Sequence, residues 1–288
     1  TELEAVYEEY NIGLSSDWRK VYAALFAKLF PTHPYGTQTT IGLGEHLKNP
    51  SITNIKNYFN KYYVPNNIAI CLSGDLDPDK TVASIEKYFG NWKPSAHIDV
   101  PQFPAQPALT APVDTTVVGK EAPMLFMGWR ADASKSLQLD TLEVIAQLLS
   151  NGQAGLFDLD LSQKLKVQEV SAGIADMDEY SVFYVYGQPK SGQTLQEVRS
   201  LALSEIEKLK KGNFSDDLLP SIVNNYKRYY YTQLDNNQFR AKQYVDAFIN
   251  HKDWKQEVDK LNRISKLTKA EIVKFANQFF RNDFACVY

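Results

Sequence analysis

The chain begins TELEAVYEEYNIGLSSDWRK, with glutamates at positions 2, 4, 8 and 9. Glu2 and Glu9 are seven residues apart, so on a helix of ~3.6 residues per turn they project from one face two turns apart. Glu8 points ~100° away around the same helix. Two readings fit this spacing. Acidic side chains in a first helical turn interact favourably with the helix dipole and are solvated, which makes an ordinary helix start. A carboxylate on a rigid helix is also a good metal ligand, completing a site whose histidines lie on another element. The chain has four histidines, His33, His46, His97 and His251, and no two are four apart, so no single helix offers an imidazole pair.

Periodicity places these residues on elements. Residues 2–29 read as one long helix, with Val6, Ala24, Leu25 and Leu29 among its apolar positions and Gly13 as a weak point. Residues 30–50, rich in proline, glycine and threonine, read as a loop. An amphipathic helix follows from the Ser51 N-cap. NIAICLSG then reads as a buried strand, and a helix starting on Asp77 ends at Gly90. Residues 93–112 carry five prolines and no period, as a linker does. Beyond it the pattern predicts strands over 114–120 and 123–131, helices over 136–150 and 154–165, and strands over 167–176 and 179–188. Helices over 194–211, 215–250 (broken near Asp235–Asn237) and 252–264, a last helix TKAEIVKFANQFF and the strand FACVY complete it.

Two endings match. ITNIKNYFNKYYVPNNIAIC and TKAEIVKFANQFFRNDFACV both run helix into strand, with Ile55 opposite Ile272, Asn60 opposite Asn277 and Ala69 opposite Ala285. The second ending is preceded by paired strands and helices; the first is preceded only by a long helix. The expected fold is therefore α+β: two related units of mostly antiparallel sheet with helices packed on one face, the first truncated. The units are expected at 1–92 and 113–288, with 93–112 linking them. The front half of the first unit is expected to lie before Thr1, leaving apolar surface of that unit uncovered.

ELEAVYEE, FPTHPYG, IGLGEHL, FNKYYVPNNIAICLSGDLD and IEKYFGNW, in that order, resemble the pitrilysin/insulinase (M16) family of zinc peptidases, the inverzincins. The resemblance covers residues 2–92 closely and the rest in layout. It implies that the two units form half of a clamshell, whose two halves enclose a chamber taking short or unfolded peptides. The other half is on the same chain or another. The family's H-x-x-E-H motif supplies two zinc-binding histidines and a general-base glutamate, and a glutamate ending an E-x-x-x-x-x-x-E pair supplies the third ligand. By this resemblance Glu9 is the zinc ligand and Glu2 the glutamate that supports it, with Glu8 the lesser candidate. H-x-x-E-H is absent from these 288 residues, so the catalytic base and the Zn²⁺ are expected to need a segment upstream of Thr1, and this segment alone is expected to hold no catalytic zinc. The rival reading is a non-catalytic relative that binds peptide or serves as a scaffold subunit. The family's substrate-binding arginine and tyrosine have no counterpart in LSQKLKVQEVSAG.

The remaining motifs read as structure. His33 is a loop residue, His46 a surface residue, and His97 lies in the linker. GLGEH lacks the GK[ST] ending of a phosphate loop, and SGQT lacks the setting of a nucleophile elbow. YKRYYYTQ reads as a packed and solvated helix face. Aromatics at helical spacing (Tyr58, Phe59, Tyr62; Phe275, Phe279) are expected in cores. Cys71 and Cys286 are expected as buried free thiols in strands. The composition, 44% hydrophobic and 23% charged, is that of a globular protein, and a net charge of −3 gives no reason to expect nucleic acid or an anionic membrane as partner. No apolar run reaches the ~18 residues of a membrane span. The compartment is left unassigned.

Overall fold

The computed structural model describes residues 2–288. Helices Glu2–Ser15 (α1), Asp17–Leu29 (α2), Pro34–Thr37 (α3), Gly44–Lys48 (α4), Ile52–Tyr62 (α5) and Pro78–Phe89 (α6) come first. Strands Val113–Thr115 (β1) and Leu125–Ala131 (β2), helix Gln138–Leu149 (α7), and strands Glu169–Ala175 (β3) and Ser181–Gln188 (β4) follow. Helices Leu195–Lys210 (α8), Leu218–Leu234 (α9), Asn237–Ile249 (α10), Trp254–Lys266 (α11) and Lys269–Phe279 (α12) lead to the last strand, Ala285–Val287 (β5). The five strands make one sheet in the order β1-β5-β2-β4-β3. Every pairing is antiparallel except β1 with β5. This is the mixed, mostly antiparallel α+β architecture that the strand pairs and late helices imply.

The sheet has two covered faces. On one, Met127, Trp129, Phe183, Val185 and Cys286 join buried residues of α7, α8, α9 and α12 in the larger core. On the other, Phe126, Val182, Ala285 and Val287 meet Val21, Leu25, Phe26 and Leu29 of α2. A helix from the opening stretch of the chain thus packs on the sheet built from residues 113–287. Its close approach is made possible by Gly128, where a Cβ would lie 3.0 Å from Leu25 Cδ2 and 3.1 Å from Leu29 Cδ1.

Several expectations are corrected. The long opening helix is two, broken not at Gly13 but at Ser16, whose hydroxyl caps α2 by accepting the Arg19 N–H. Asp17, the first residue of α2, explains why the break is there. Its buried carboxylate accepts the Lys120 and Glu121 N–H groups and the Lys20 ammonium at 2.8 Å, and Gly119 leaves the room for it. Within the helix expected over 154–165 the helical residues are 156–162, of which Asp158–Ser162 are π-helical. The Asp158 carboxylate accepts the Asn151 and Gly155 N–H groups at 2.8 and 2.9 Å and ties the preceding turn to the helix start. The segment 30–50 contains α3 and α4. The 93–112 stretch is extended but not free: Gln106 bonds Thr32, and the Arg130 guanidinium donates to the Leu29, Gln106 and Pro107 carbonyls.

The expected strand NIAICLSG is not one. Ile68, Ile70 and Leu72 are exposed, Cys71 is only half-buried, and among the described residues no strand pairs with them. The matching segment around β5 is central in its sheet, flanked by β1 and β2. The apolar faces of α5 and α6 are likewise open, with Ile55, Tyr58, Phe59, Val82 and Phe89 exposed. Their helical spacing marks an apolar face, but none of the described residues covers it. Phe275 and Phe279 are packed as expected.

The Lys20 ammonium, followed by the Glu121 amide, holds the Asp17 carboxyl down to about 2 against an ordinary 3.8, although burial opposes the shift. The folded form therefore releases this proton more readily than the unfolded form. The stabilisation is complete above about pH 4 and is lost as pH falls toward 2. Hydrogen exchange at pH 2.5 should show the Lys120 and Glu121 amides losing protection relative to pH 6, after correction for intrinsic rates. Asp17→Asn should abolish the difference.

Candidate functional site

The acidic helix α1 is amphipathic in an unusual sense. Glu2, Glu8 and Glu9 lie exposed, while Tyr7 and Tyr10, three apart, stack at 6.4 Å and are half-buried. α1 packs on α4 and on α2. At the α4 contact, the Tyr10 ring lies on Gly44, where a Cβ would meet Cε1 at 2.8 Å. At the α2 contact, Gly13 is buried under the Arg19 guanidinium. Neither Glu2 nor Glu9 has a hydrogen bond or ion pair among the described residues, and both belong to the same helix two turns apart.

None of the histidines joins them. His33 is 1% exposed, and it caps α3 by accepting the Tyr35 N–H on Nδ1 at 3.2 Å. Nε2 is thereby the donor nitrogen, and it lies 3.0 Å from the Glu179 carboxylate. Phe103, Tyr35 and Tyr180 edge onto the ring. His33 thus pins the loop after α2 to the linker and to the β3–β4 turn, a structural role that agrees with its reading as a loop residue. His97 is exposed and pairs with Asp99 at 2.7 Å, His46 is exposed in the last turn of α4, and His251 is exposed with φ of 52°. Among the described residues no group of three His, Cys, Asp or Glu side chains could hold a metal ion.

Sequence reasoning missed two polar centres. Asp17 could have been found, because SSD is a helix-start signal inside what reads as one helix. Arg130 could not: its acceptors are backbone carbonyls from two distant segments, Leu29 and Gln106–Pro107, which no side-chain pattern announces. Asp17 and Glu121 also border a cleft of about 520 Å³ between the 116–124 loop and the start of α8. Because Asp17 is spent on the loop amides, it is not a free acid or base.

Residues 51–226 match the family described as the peptidase M16 inactive domain, which is more than half of the chain. The chain belongs to the peptidase M16 family. Among M16 relatives it is similar to the zinc protease PqqE of Helicobacter pylori, with 24% identity over 271 residues, covering 91% of this chain and 60% of that protein. The chain thus spans less than two thirds of that relative's length. A solved protease from Helicobacter pylori superposes with a TM-score of 0.91 at 21% identity, covering 99% of this chain and 70% of that one. The first half of the periplasmic protease PqqL from Escherichia coli does so with a TM-score of 0.80 at 12% identity, covering 99% and 64%. At these identities the two structures establish the M16 fold.

The M16 relationship brings zinc into question, and the donor chemistry gives a divided answer. Glu9 is of the right donor type, a carboxylate on a helix with no competing partner among the described residues. A catalytic zinc usually takes three protein ligands, and among the described residues no three such side chains stand together.

Proposed function

We propose that these residues are part of a zinc-dependent metalloendopeptidase that hydrolyses short or unfolded peptides, with Glu9 as one metal ligand and Glu2 supporting it. The observation that carries this reading is the state of α1. Glu2 and Glu9 are exposed and without a partner among the described residues, while Tyr7 and Tyr10 on the other side of the helix are packed. Two histidines and a general-base glutamate would come from polypeptide outside residues 1–288. Bound zinc supplies Lewis-acid polarisation of the peptide carbonyl and of a water. The part assigned to this chain is to hold Glu9 in one direction and to wall the peptide chamber. Residues 1–92 would be the later part of a first unit, 93–112 its link, and 113–288 a second unit. The open apolar faces of α5, α6 and 68–73 favour completion of the first unit by strands not among these residues.

A second reading is a non-catalytic subunit that binds peptide or scaffolds an active half. It is favoured by the matched family description, an inactive domain. Zinc content separates the two. In a protein extended upstream to include the first unit, the wild type is expected to hold one tight zinc per chain and cleave an unfolded peptide. Glu9→Gln should lower zinc affinity by a factor on the order of 100. If the extended protein holds no zinc, or Glu9→Gln retains it fully, Glu9 is only part of a solvated helix start.

A further inference from the structure

The five prolines of 93–112 stiffen that stretch and remove donors from it. Pro104 and Pro107 have no N–H, so this backbone cannot run as an inner strand, and its carbonyls need donors from elsewhere. Fixed elements supply them. The Arg130 guanidinium, on β2, gives Nη1 to the Gln106 and Pro107 carbonyls at 3.3 and 3.2 Å, and Nη2 to the Pro107 carbonyl at 3.2 Å. Nη2 also donates to the carbonyl of Leu29, the last residue of α2, where a helix leaves carbonyls unpaired and its dipole favours a cation. The rings of Phe30 and Tyr180 lie against the same guanidinium, 5.5 and 5.9 Å from it. One side chain thus joins the sheet, the end of α2 and the 106–107 backbone.

Neighbouring contacts repeat that connection. The buried Gln106 side chain accepts the Thr32 N–H at 3.1 Å and donates to the Thr32 hydroxyl at 2.9 Å. Its backbone N–H donates to the Tyr180 hydroxyl at 3.3 Å, and Phe103 packs edge-on to His33. The earlier part of the stretch is tied in the other direction. Asn66, in the turn after α5, donates to the Ser95 carbonyl and accepts the Ser95 N–H, both at 3.0 Å, and Lys61 of α5 pairs with Asp99. These outer contacts are exposed, so the Arg130 end carries more of the free energy. Between Asp99 and Phe103 lie only Val100, Pro101 and Gln102, with the proline at their centre.

A connecting stretch without contacts is a hinge; this one is fastened at both ends. We propose that residues 93–112 are a strap that holds α5 and α6 in fixed relation to the five-stranded sheet, with Arg130 as its main anchor. The strap depends neither on Glu9 nor on zinc, and it serves a peptidase and a scaffold equally. Any opening that admits a peptide then takes place elsewhere than at 93–112.

The test is digestion of the full-length protein with subtilisin, the cut sites being read by mass spectrometry. The wild type should resist cutting within 93–112 for as long as it stays folded. A folded Arg130→Met protein should be cut between 99 and 109 roughly 10–100-fold faster, the range for losing hydrogen bonds to a charged group when cutting follows the open population. Arg130→Lys should fall between the two, because one ammonium cannot span the three carbonyls. Asn66→Ala, at the exposed end, keeps the test decisive if Arg130→Met does not fold, and should raise cutting between 93 and 99 by about threefold. Wild-type protein cut within 93–112 as fast as a free peptide of that sequence would be hinged there, and the strap would be overturned. Unchanged cutting in Arg130→Met would overturn the anchor, and unchanged cutting in Asn66→Ala the outer fastening.

Discussion

Leu25→Ala is expected to destabilise the five-stranded sheet, although position 25 belongs to the opening stretch of the chain. Leu25 is fully buried, and its Cδ2 lies where a side chain on Gly128 of β2 would have to go. Truncating such a leucine removes its transfer free energy and leaves a cavity, which together cost about 3 kcal/mol. For a protein of this size the melting midpoint should fall by roughly 5 °C. The physical content is the location of the effect. α2 covers Phe126, Val182, Ala285 and Val287, residues of three different strands, so losing its grip uncovers the sheet centre. If α2 were instead independent of the sheet, Leu25→Ala would leave hydrogen-exchange protection of β2 and β5 at the wild-type level. Unchanged protection there would refute the shared core. Gly128→Ala offers a check from the other side: a methyl group forced against Leu25, Leu29 and Val182 should cost about 1–3 kcal/mol by overpacking.

The same residues explain what the sequence made legible. β2, β3, β4 and most of the late helices stand close to where alternation and capping signals place them, because each is buried locally and its pattern records that burial. The capping boxes of α8 (Thr194 with Glu197) and α12 (Thr268 with Glu271) are signals of this kind. Which face α2 covers was not legible. An amphipathic stripe states that a helix is buried against something, not what. Ile68, Ile70 and Leu72 show the opposite failure: their alternation is that of a strand, but a strand exists only where a neighbour completes its ladder. For the candidate site, spacing placed Glu2 and Glu9 on one helix, and the structure agrees. The contacts of that helix, Tyr10 on Gly44 and Arg19 over Gly13, lie in separate elements or across a helix break, where no short motif joins them. His33 was legible in kind but not in partner, because Glu179 lies 146 residues away.

The second large effect is expected in alkali and traces to one thiol. Cys286 sits in β5, paired with Met127 of β2 on one side and with Asp114 of β1 on the other, and it is fully buried. Burial pushes its thiol up to about 12 from an ordinary 9, while a hydrogen bond with Tyr288 and the nearby Arg199 pull weakly the other way. The sign follows from proton counting. Between pH 9 and 12 the unfolded chain has released this proton and the folded chain has kept it, so the folded form binds more protons and stability falls as pH rises. Each pH unit within that window costs about 1.4 kcal/mol, or about 4 kcal/mol across it. Tyrosines act in the same direction but later: Tyr226 and Tyr288 are raised to about 12 from 10, and Tyr22, Tyr35 and Tyr186 are raised too, each chiefly by burial. Between pH 9 and 10 an ordinary tyrosine has released at most half of its proton, so Cys286 contributes more in that interval than any one of them. Cys286→Ala should start slightly less stable at pH 7, through lost packing, and yet lose about 1 kcal/mol less than wild type between pH 9 and 10 in urea titrations. Equal losses in the two proteins would mean that the thiol ionises in place, and that the centre of the sheet is more open to water than its packing requires.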